Sequence, residues 1–109
     1  MQLEAADANG TYALRVGDTV QIRLAESPGT GYRWTVEQLD ESRLVLEDSV
    51  FIHSPRDRVG GSGLRTLTLR ARRDGTTTVC FAQRRPWAGG GGPVNQFQAT
   101  FTIVGKGEV

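Results

Sequence analysis

The sequence predicts an all-β fold, an Ig-like antiparallel β-sandwich of about seven strands, and three observations support this. Apolar and polar residues alternate along most of the chain; Val20, Ile22 and Leu24, for example, are separated by Gln21 and Arg23. A period of two places successive side chains on opposite faces of a strand, one buried and one solvated. No segment of about 12 residues shows helical periodicity. Turn-forming dipeptides recur between the short segments, which is typical of such sandwiches.

Each predicted strand is bounded by residues that favour turns. Gly17-Asp18 joins the first two strands and Asp74-Gly75 joins the fifth and sixth, and both are dipeptides of tight turns. Trp34 lies on the third strand, where such sandwiches bury an aromatic residue, so we expect it to pack in the core. The predicted strands are 11–16, 19–25, 32–38, 43–53, 64–73, 76–84 and 95–104.

Length and composition limit the organisation of the chain. Its 109 residues suffice for one domain with one modest core, so we expect a single domain over residues 1–109, with residues 1–10 as a loose arm. One cysteine excludes an internal disulfide, and no apolar run is long enough to span a membrane. The start lacks the basic and apolar regions of a leader, so we expect a cytoplasmic protein, or a periplasmic or secreted one if a leader has been removed.

The charge is distributed unevenly although the net charge is only +1. Residues 1–50 carry nine acids and four bases, and residues 51–109 carry nine bases and three acids. Such asymmetry can mark a surface for nucleic acid. The alternative is a solvated strand surface of mixed charge.

Glycine is enriched, with 14 residues, and nine of these fall in three stretches. Because strand direction reverses at each connection, the three stretches emerge at one end of the predicted sandwich and the tight turns at the other. A rigid scaffold that presents loops at one end is a common binding arrangement. The three stretches are Ser27-Pro28-Gly29-Thr30-Gly31-Tyr32, Val59-Gly60-Gly61-Ser62-Gly63-Leu64, and Arg84-Arg85-Pro86-Trp87-Ala88 followed by four glycines.

Trp87 is a candidate binding residue within the third stretch. It follows Pro86 and precedes the glycine run, so little local structure is available to bury it. Tryptophan is enriched at interface hot spots. The alternative is that the indole folds back onto the sandwich.

These three stretches resemble the signature loops of the chagasin-like inhibitors of papain-family cysteine peptidases. That family has an Ig-like fold and three loops that read broadly Asn-Pro-Thr-Thr-Gly-Tyr/Phe, Gly-x-Gly-Gly and Arg-Pro-Trp/Phe. The order and spacing fit over nearly the whole chain. The matching stretches are Ser27-Pro28-Gly29-Thr30-Gly31-Tyr32, Gly60-Gly61-Ser62-Gly63 and Arg85-Pro86-Trp87.

The resemblance implies a reversible, tight-binding inhibitor that places the three loops across the peptidase cleft. The first loop would enter the centre near the catalytic cysteine, the second would make backbone contacts on the non-primed side, and Trp87 would pack on the primed side. It further implies no cofactor, no catalysis, a papain-like peptidase as partner and a monomeric inhibitor. The implied binding residues are Ser27, Pro28, Gly29, Thr30, Gly31, Tyr32, Gly60, Gly61, Ser62, Gly63, Arg85, Pro86 and Trp87.

Three positions depart from the family pattern. Ser27 replaces the asparagine, and Gly29 stands where the family has its first threonine, the residue expected nearest the catalytic cysteine. Ser62 interrupts the glycine pair, unless the match is shifted by one residue, which moves the misfit to Leu64. We therefore expect inhibition that is weaker or tuned to different enzymes.

Three other functions are less favoured by the residues. Catalysis is disfavoured because Cys80 falls inside a predicted strand, where we expect it buried, and His53 is the only histidine. A carbohydrate-binding or adhesive module would use Trp87 for stacking. Nucleic-acid binding would use an arginine-rich face, but the strand aromatics Phe97 and Phe101 fall on the apolar side rather than on a stacking surface. The arginines of that face would be Arg56, Arg58, Arg65, Arg70, Arg72, Arg73, Arg84 and Arg85.

Overall fold

The structure, a computed structural model, describes residues 1–27, 29, 31–53, 63–84 and 94–105. The seven predicted strands are present, together with an additional N-terminal strand and one turn of 3-10 helix at Ala5–Asp7. The strands are β1 (Gln2–Glu4), β2 (Thr11–Arg15), β3 (Thr19–Glu26), β4 (Arg33–Gln38), β5 (Leu44–His53), β6 (Gly63–Ala71), β7 (Gly75–Arg84) and β8 (Asn95–Val104).

Two four-stranded sheets form the sandwich, which confirms the predicted fold class. One sheet has the order β1-β3-β6-β5 and the other has the order β2-β8-β7-β4. Pairing is antiparallel except for β1 with β3 and β2 with β8, which are parallel. The core is formed by the alternating apolar residues of the inner faces, with Phe81, Phe97 and Phe101 among the largest fully buried side chains. Trp34 is partly buried and packs against this core.

The N-terminal segment is not the loose arm that its composition suggests. Residues 2–4 pair with β3, with Leu3 opposite Ile22, and Leu3 is only 4% exposed. Residues 7 and 9 are also attached, because the Tyr12 hydroxyl donates to the Asp7 carbonyl at 2.6 Å and the Asn9 amide donates to the Gln98 carbonyl at 2.6 Å. Burial of one leucine together with ladder hydrogen bonds fixes this segment on the sandwich.

The strand registers place the three glycine-rich connections at one end, as predicted. In the first sheet the ends of β3 and β5 meet the start of β6, since Gly63 lies opposite both Glu26 and His53. In the second sheet Arg33 at the start of β4 lies opposite Arg84 at the end of β7. A hydrogen bond of 3.1 Å from the Trp34 amide to the Glu26 carboxylate joins the two sheets here. We call this end, with its connections 27–32, 54–62 and 85–94, the loop end.

The opposite end is closed by short turns. Asp40 organises the connection between β4 and β5, because the Ser42 hydroxyl and amide donate to its Oδ1 at 2.6 and 3.0 Å. The Arg43 guanidinium donates to Asp40 Oδ2 at 2.7 Å. The Ser42 hydroxyl first, and then Arg43, lower the pKa of the Asp40 carboxyl below its ordinary value. This end therefore consists of compact, internally bonded turns, in contrast to the loop end.

Among the described residues, no helix has the length and apolar character needed to cross a membrane.

Candidate functional site

Below the three connections, the core ends in a layer of polar side chains. Along β3 the inner positions Val20, Ile22 and Leu24 are fully apolar and buried, and the next inner position is Glu26, which is 2% exposed. The same change occurs along β7, where Gln83 follows the buried Phe81 and is itself 7% exposed. Two of the three buried polar residues among those described, Glu26 and Gln83, thus lie where their strands approach the loop end; the third, Thr77, lies near the start of β7.

The Glu26 carboxylate has partners for both of its oxygens. Oε1 accepts the backbone N–H of Trp34 at 3.1 Å. Oε2 accepts two donors from the Arg65 guanidinium, Nη2 at 2.7 Å and Nε at 3.1 Å. A buried charge is tolerated when it is paired and hydrogen-bonded in this way. The indole N–H of Trp34 adds a bond of 2.8 Å to the Ala25 carbonyl, so two hydrogen bonds connect β3 and β4 beside the first connection.

Arg65 extends this network to the edge strand β5. Its guanidinium carbon lies 5.8 Å from the centroid of the Phe51 ring, a cation–π distance. Nη1 is also 3.4 Å from the hydroxyl oxygen of Ser49. Since Phe51 is near the end of β5 and Arg65 near the start of β6, these contacts join the two strands that flank the second connection.

A separate, uncharged pair holds the two strands beside the third connection. The Asn95 side-chain amide donates to the Gln83 side-chain carbonyl at 2.9 Å. The Val94 amide donates to the Gln83 backbone carbonyl at the same distance. A cleft of about 250 Å³ opens between this pair and the first connection, with Glu26 and Tyr32 on its other side.

Three glycines of the predicted loops are described, and each has a different conformational requirement. Gly31 has φ of 83°, in the left-handed region that favours glycine, and it is buried. Gly63 has no room for a side chain, because a Cβ would overlap the Ile52 carbonyl oxygen and lie 2.8 Å from the Phe51 ring. Gly29 is exposed, and a Cβ built on it meets no described atom within 4 Å.

Five of the predicted binding residues are therefore placed at the loop end, namely Ser27, Gly29, Gly31, Tyr32 and Gly63. The remaining ones lie outside the described residues, namely Pro28, Thr30, Gly60, Gly61, Ser62, Arg85, Pro86 and Trp87.

The structure separates Cys80 and His53, the two residues weighed as a catalytic pair. Cys80 lies in β7, as predicted, but it is half-buried rather than buried because it faces away from the core. His53 is exposed at the end of β5 in the other sheet, with its ring edge-on to Phe51 at 5.1 Å. No group of His, Cys, Asp or Glu side chains suited to a metal ion occurs among the described residues.

The arginine-rich face is partly neutralised by carboxylates. Arg70 pairs with Glu47 at 2.8 Å, and Arg84 pairs with Glu37. Together with the buried Arg65–Glu26 pair, three of the arginines considered for nucleic-acid binding have acidic partners. Arg56, Arg58 and Arg85 lie outside the described residues.

Comparison with known proteins identifies the family. Residues 13–103 match the chagasin family of peptidase inhibitors. The chain belongs to this family. Amoebiasin-2 of Entamoeba histolytica is 27% identical over 103 residues, which cover 94% of this chain and 82% of that protein. Chagasin of Trypanosoma cruzi is 31% identical over 91 residues, which cover 77% of this chain and 80% of chagasin.

Solved structures show the same fold. The crystal structure of EhICP2, a cysteine protease inhibitor of Entamoeba histolytica, has a TM-score of 0.86 at 24% identity and covers 94% of this chain and 93% of its own. The structure of PbICP-C in complex with falcipain-2 has a TM-score of 0.53 at 16% identity and covers 97% of this chain and 90% of its own. Family membership confirms the predicted function: the chain is a chagasin-like inhibitor of papain-like cysteine peptidases and not an enzyme.

The sequence pattern indicates the three glycine-rich connections but not the polar side chains at the strand ends beside them. From the sequence alone, Glu26 has no predicted role and Arg65 is one of the arginines of the candidate nucleic-acid face. A signal was present, since Glu26 continues the inward-facing period of Val20, Ile22 and Leu24, and Arg65 continues that of β6. A charged residue at an inward position predicts a buried partner of opposite charge.

Proposed function

We propose that the inhibitor blocks the peptidase cleft reversibly, using the three connections of the loop end together. The first loop, Ser27 to Tyr32, would occupy the centre of the cleft. The second, Gly60 to Gly63, would line one side, and the third, Arg85 to Trp87, would line the other. The observation that supports this most directly is the strand register, which brings the ends of β3, β5 and β7 to a single edge.

The geometry of this edge favours insertion into a cleft. Gly31 is buried with φ in the left-handed region, which favours glycine, and a Cβ at the exposed Gly29 meets no described atom within 4 Å, so the backbone at position 29 is open to close approach. The strands that carry the loops are cross-linked by the Glu26–Trp34 and Gln83–Asn95 hydrogen bonds. Rigid supports reduce the ordering cost of binding, which favours affinity without a covalent bond.

The partner we propose is a peptidase of the papain class, acting as a whole folded enzyme. PbICP-C, which shares the fold, was solved in complex with falcipain-2. We also propose that the inhibitor acts as a monomer. We further propose that no nucleic acid takes part, because the carboxylate pairing of Arg65, Arg70 and Arg84 lowers the positive charge of the candidate basic face.

The proposal is tested with papain and a cathepsin-L-like enzyme. The purified chain should inhibit both at sub-micromolar concentration, activity should return on dilution, and the inhibitor should stay intact by mass spectrometry. Replacing Trp87 by alanine should raise Ki by about 30-fold or more, the effect of removing a typical hot-spot side chain.

Val104→Ala is the matched control for this change, because Val104 is an apolar residue with 47% exposure at the opposite end of β8. It should leave Ki unchanged. Unchanged Ki for Trp87→Ala would remove the third loop from the interface. Cleavage of the chain during inhibition would instead indicate a substrate-like mode.

A further inference from the structure

We propose that the ion pair of the buried Glu26 with the partly buried Arg65 is a positioning device, which fixes the first and second inhibitory loops relative to each other. This inference rests on the three-loop mode proposed above and adds residues that lie behind the loops rather than in them. Glu26 and Arg65 would act on the peptidase only through the backbone that they hold.

The charge of Glu26 lies at an unusual place in its strand. Glu26 occupies an inner-face position that an apolar residue would fill by the pattern of β3, and its side chain is 1% exposed. Replacing a buried ion pair by well-packed apolar residues is often neutral or stabilising, whereas removing one partner is costly. Stability alone therefore does not account for a carboxylate here.

The pair connects the strands that carry the first and second loops. Glu26 is the last residue of β3, where the first loop begins, and it binds the amide of Trp34 just after that loop ends. Arg65 lies two residues beyond Gly63, where the second loop enters β6, and it contacts Phe51 on the strand from which that loop departs. The four strands that carry two loops thus converge on one carboxylate and one guanidinium group.

The hydrogen bonds of the Glu26 carboxylate are directional. The carboxylate accepts a backbone N–H at one oxygen and the guanidinium at the other, so a displacement of either sheet breaks a directional contact. An apolar pair at the same positions would fill the space but would permit sliding. The strands that flank the third loop have a hydrogen bond of their own, from the Asn95 side chain to that of Gln83, which involves neither Glu26 nor Arg65.

The experiment compares stability with inhibition in matched variants. The double variant Glu26→Leu/Arg65→Met removes both charges and keeps apolar bulk. Its Tm should stay within about 5 °C of the parent's, because removal of both charges is neutral or stabilising whereas the Trp34 N–H loses its acceptor. Its Ki for papain should rise by about tenfold or more because the loops must be ordered on binding. Glu47→Gln is the control, since it removes the exposed Glu47–Arg70 pair from the same sheet and should leave Ki unchanged.

Hydrogen exchange supplies a readout that does not depend on inhibition. In the double variant, exchange should accelerate in the peptide that contains residues 27–34 and stay unchanged in β7 and β8. The Trp87→Ala change should raise Ki by the same factor in the parent and in the double variant, because Trp87 belongs to a connection that neither Glu26 nor Arg65 flanks and independent sites are additive.

A double variant with parental Tm, parental Ki and unchanged exchange at residues 27–34 would overturn the inference while leaving the three-loop mode intact. Loss of the Trp87→Ala effect in the parent chain would count against the three-loop mode instead. Should the double variant not fold, Glu26→Gln decides the question by the same measurements at a temperature where it is fully folded.

Discussion

Alanine substitutions at Gly63 and Gly29 are expected to change stability in opposite directions, although both glycines belong to the loop end. Gly63 lies opposite Glu26 on one side and His53 on the other. A Cβ at this position would overlap the carbonyl oxygen of Ile52, lie 2.8 Å from Cζ of Phe51 and lie 3.0 Å from Cα of His53. Two of these atoms belong to the backbone, so the clash is relieved only by separating β5 from β6.

The cost can be assembled from its parts. Opening the last rung of this ladder loses one or two hydrogen bonds, at about 1 kcal/mol each. Crowding Phe51 adds an overpacking cost of about 1–2 kcal/mol. The reduced chain entropy of the unfolded state stabilises the folded protein by about 0.7 kcal/mol, as for a glycine-to-alanine change in general. The free energy of unfolding should therefore fall by about 2 kcal/mol, which for a domain of this size lowers Tm by about 10 °C.

Gly29→Ala is the matched control, because a Cβ there meets no described atom within 4 Å. Only the reduced chain entropy of the unfolded state then affects stability, so Tm should rise by up to a few degrees. Thermal and urea unfolding followed by circular dichroism, on equal concentrations of the three proteins, measures both shifts. A Gly63→Ala protein with parental Tm would refute the steric reasoning, and an equal loss for Gly29→Ala would show that position 29 does not have the open space assigned to it.

Two further predictions concern the first loop and the opposite end. Gly29→Thr restores the family threonine in open space, so Ki for papain should fall with little change in Tm; an increase in Ki would show that this chain positions its first loop differently. Asp40→Asn should lower Tm at neutral pH, because the lowered pKa of Asp40 means that its ionised form stabilises the fold. That contribution to stability is present above the ordinary carboxyl pKa of 3.8 and is lost as the pH falls through the lower pKa of the folded state. The Tm values of the two proteins should therefore converge in acid, and a Tm difference that does not change with pH would contradict this assignment.

The strands of this protein could be predicted because alternation is a local property of the sequence. Segments such as 95–104 show the period over ten residues, and the observed strand Asn95–Val104 has the same bounds. The strand Gln2–Glu4 could not be found in this way, since it has three residues and one apolar side chain. This strand forms because it pairs with β3 and because Leu3 reaches the core. A pairing between residues this far apart in the sequence produces no local periodic pattern.

The end that carries the proposed inhibitory loops could be predicted from the sequence for a similar reason. Strand count and reversal alone put the three glycine-rich connections at one end. The residues behind them could not be assigned, because a charged residue near a strand end is usually solvated. Only the pairing of β3 with β6 shows that Glu26 and Arg65 face inward together.

The uneven charge along the chain is partly compensated by strand pairing. Three of the four antiparallel ladders among the described strands join a strand from the acidic first half to one from the basic second half: β3 and β5 both pair with β6, and β4 pairs with β7, whereas β7 and β8 both belong to the second half. Carboxylates and arginines far apart in the chain thereby become cross-strand neighbours, as in the pairs Glu26–Arg65, Glu47–Arg70 and Glu37–Arg84. These pairs offset part of the positive charge of the second half, although the register also places Arg33 opposite Arg84. The asymmetry that resembles a nucleic-acid signature in the sequence thus becomes, in the folded sandwich, a set of cross-strand ion pairs, and the most buried of these pairs lies beside the strand ends that carry two of the proposed inhibitory loops.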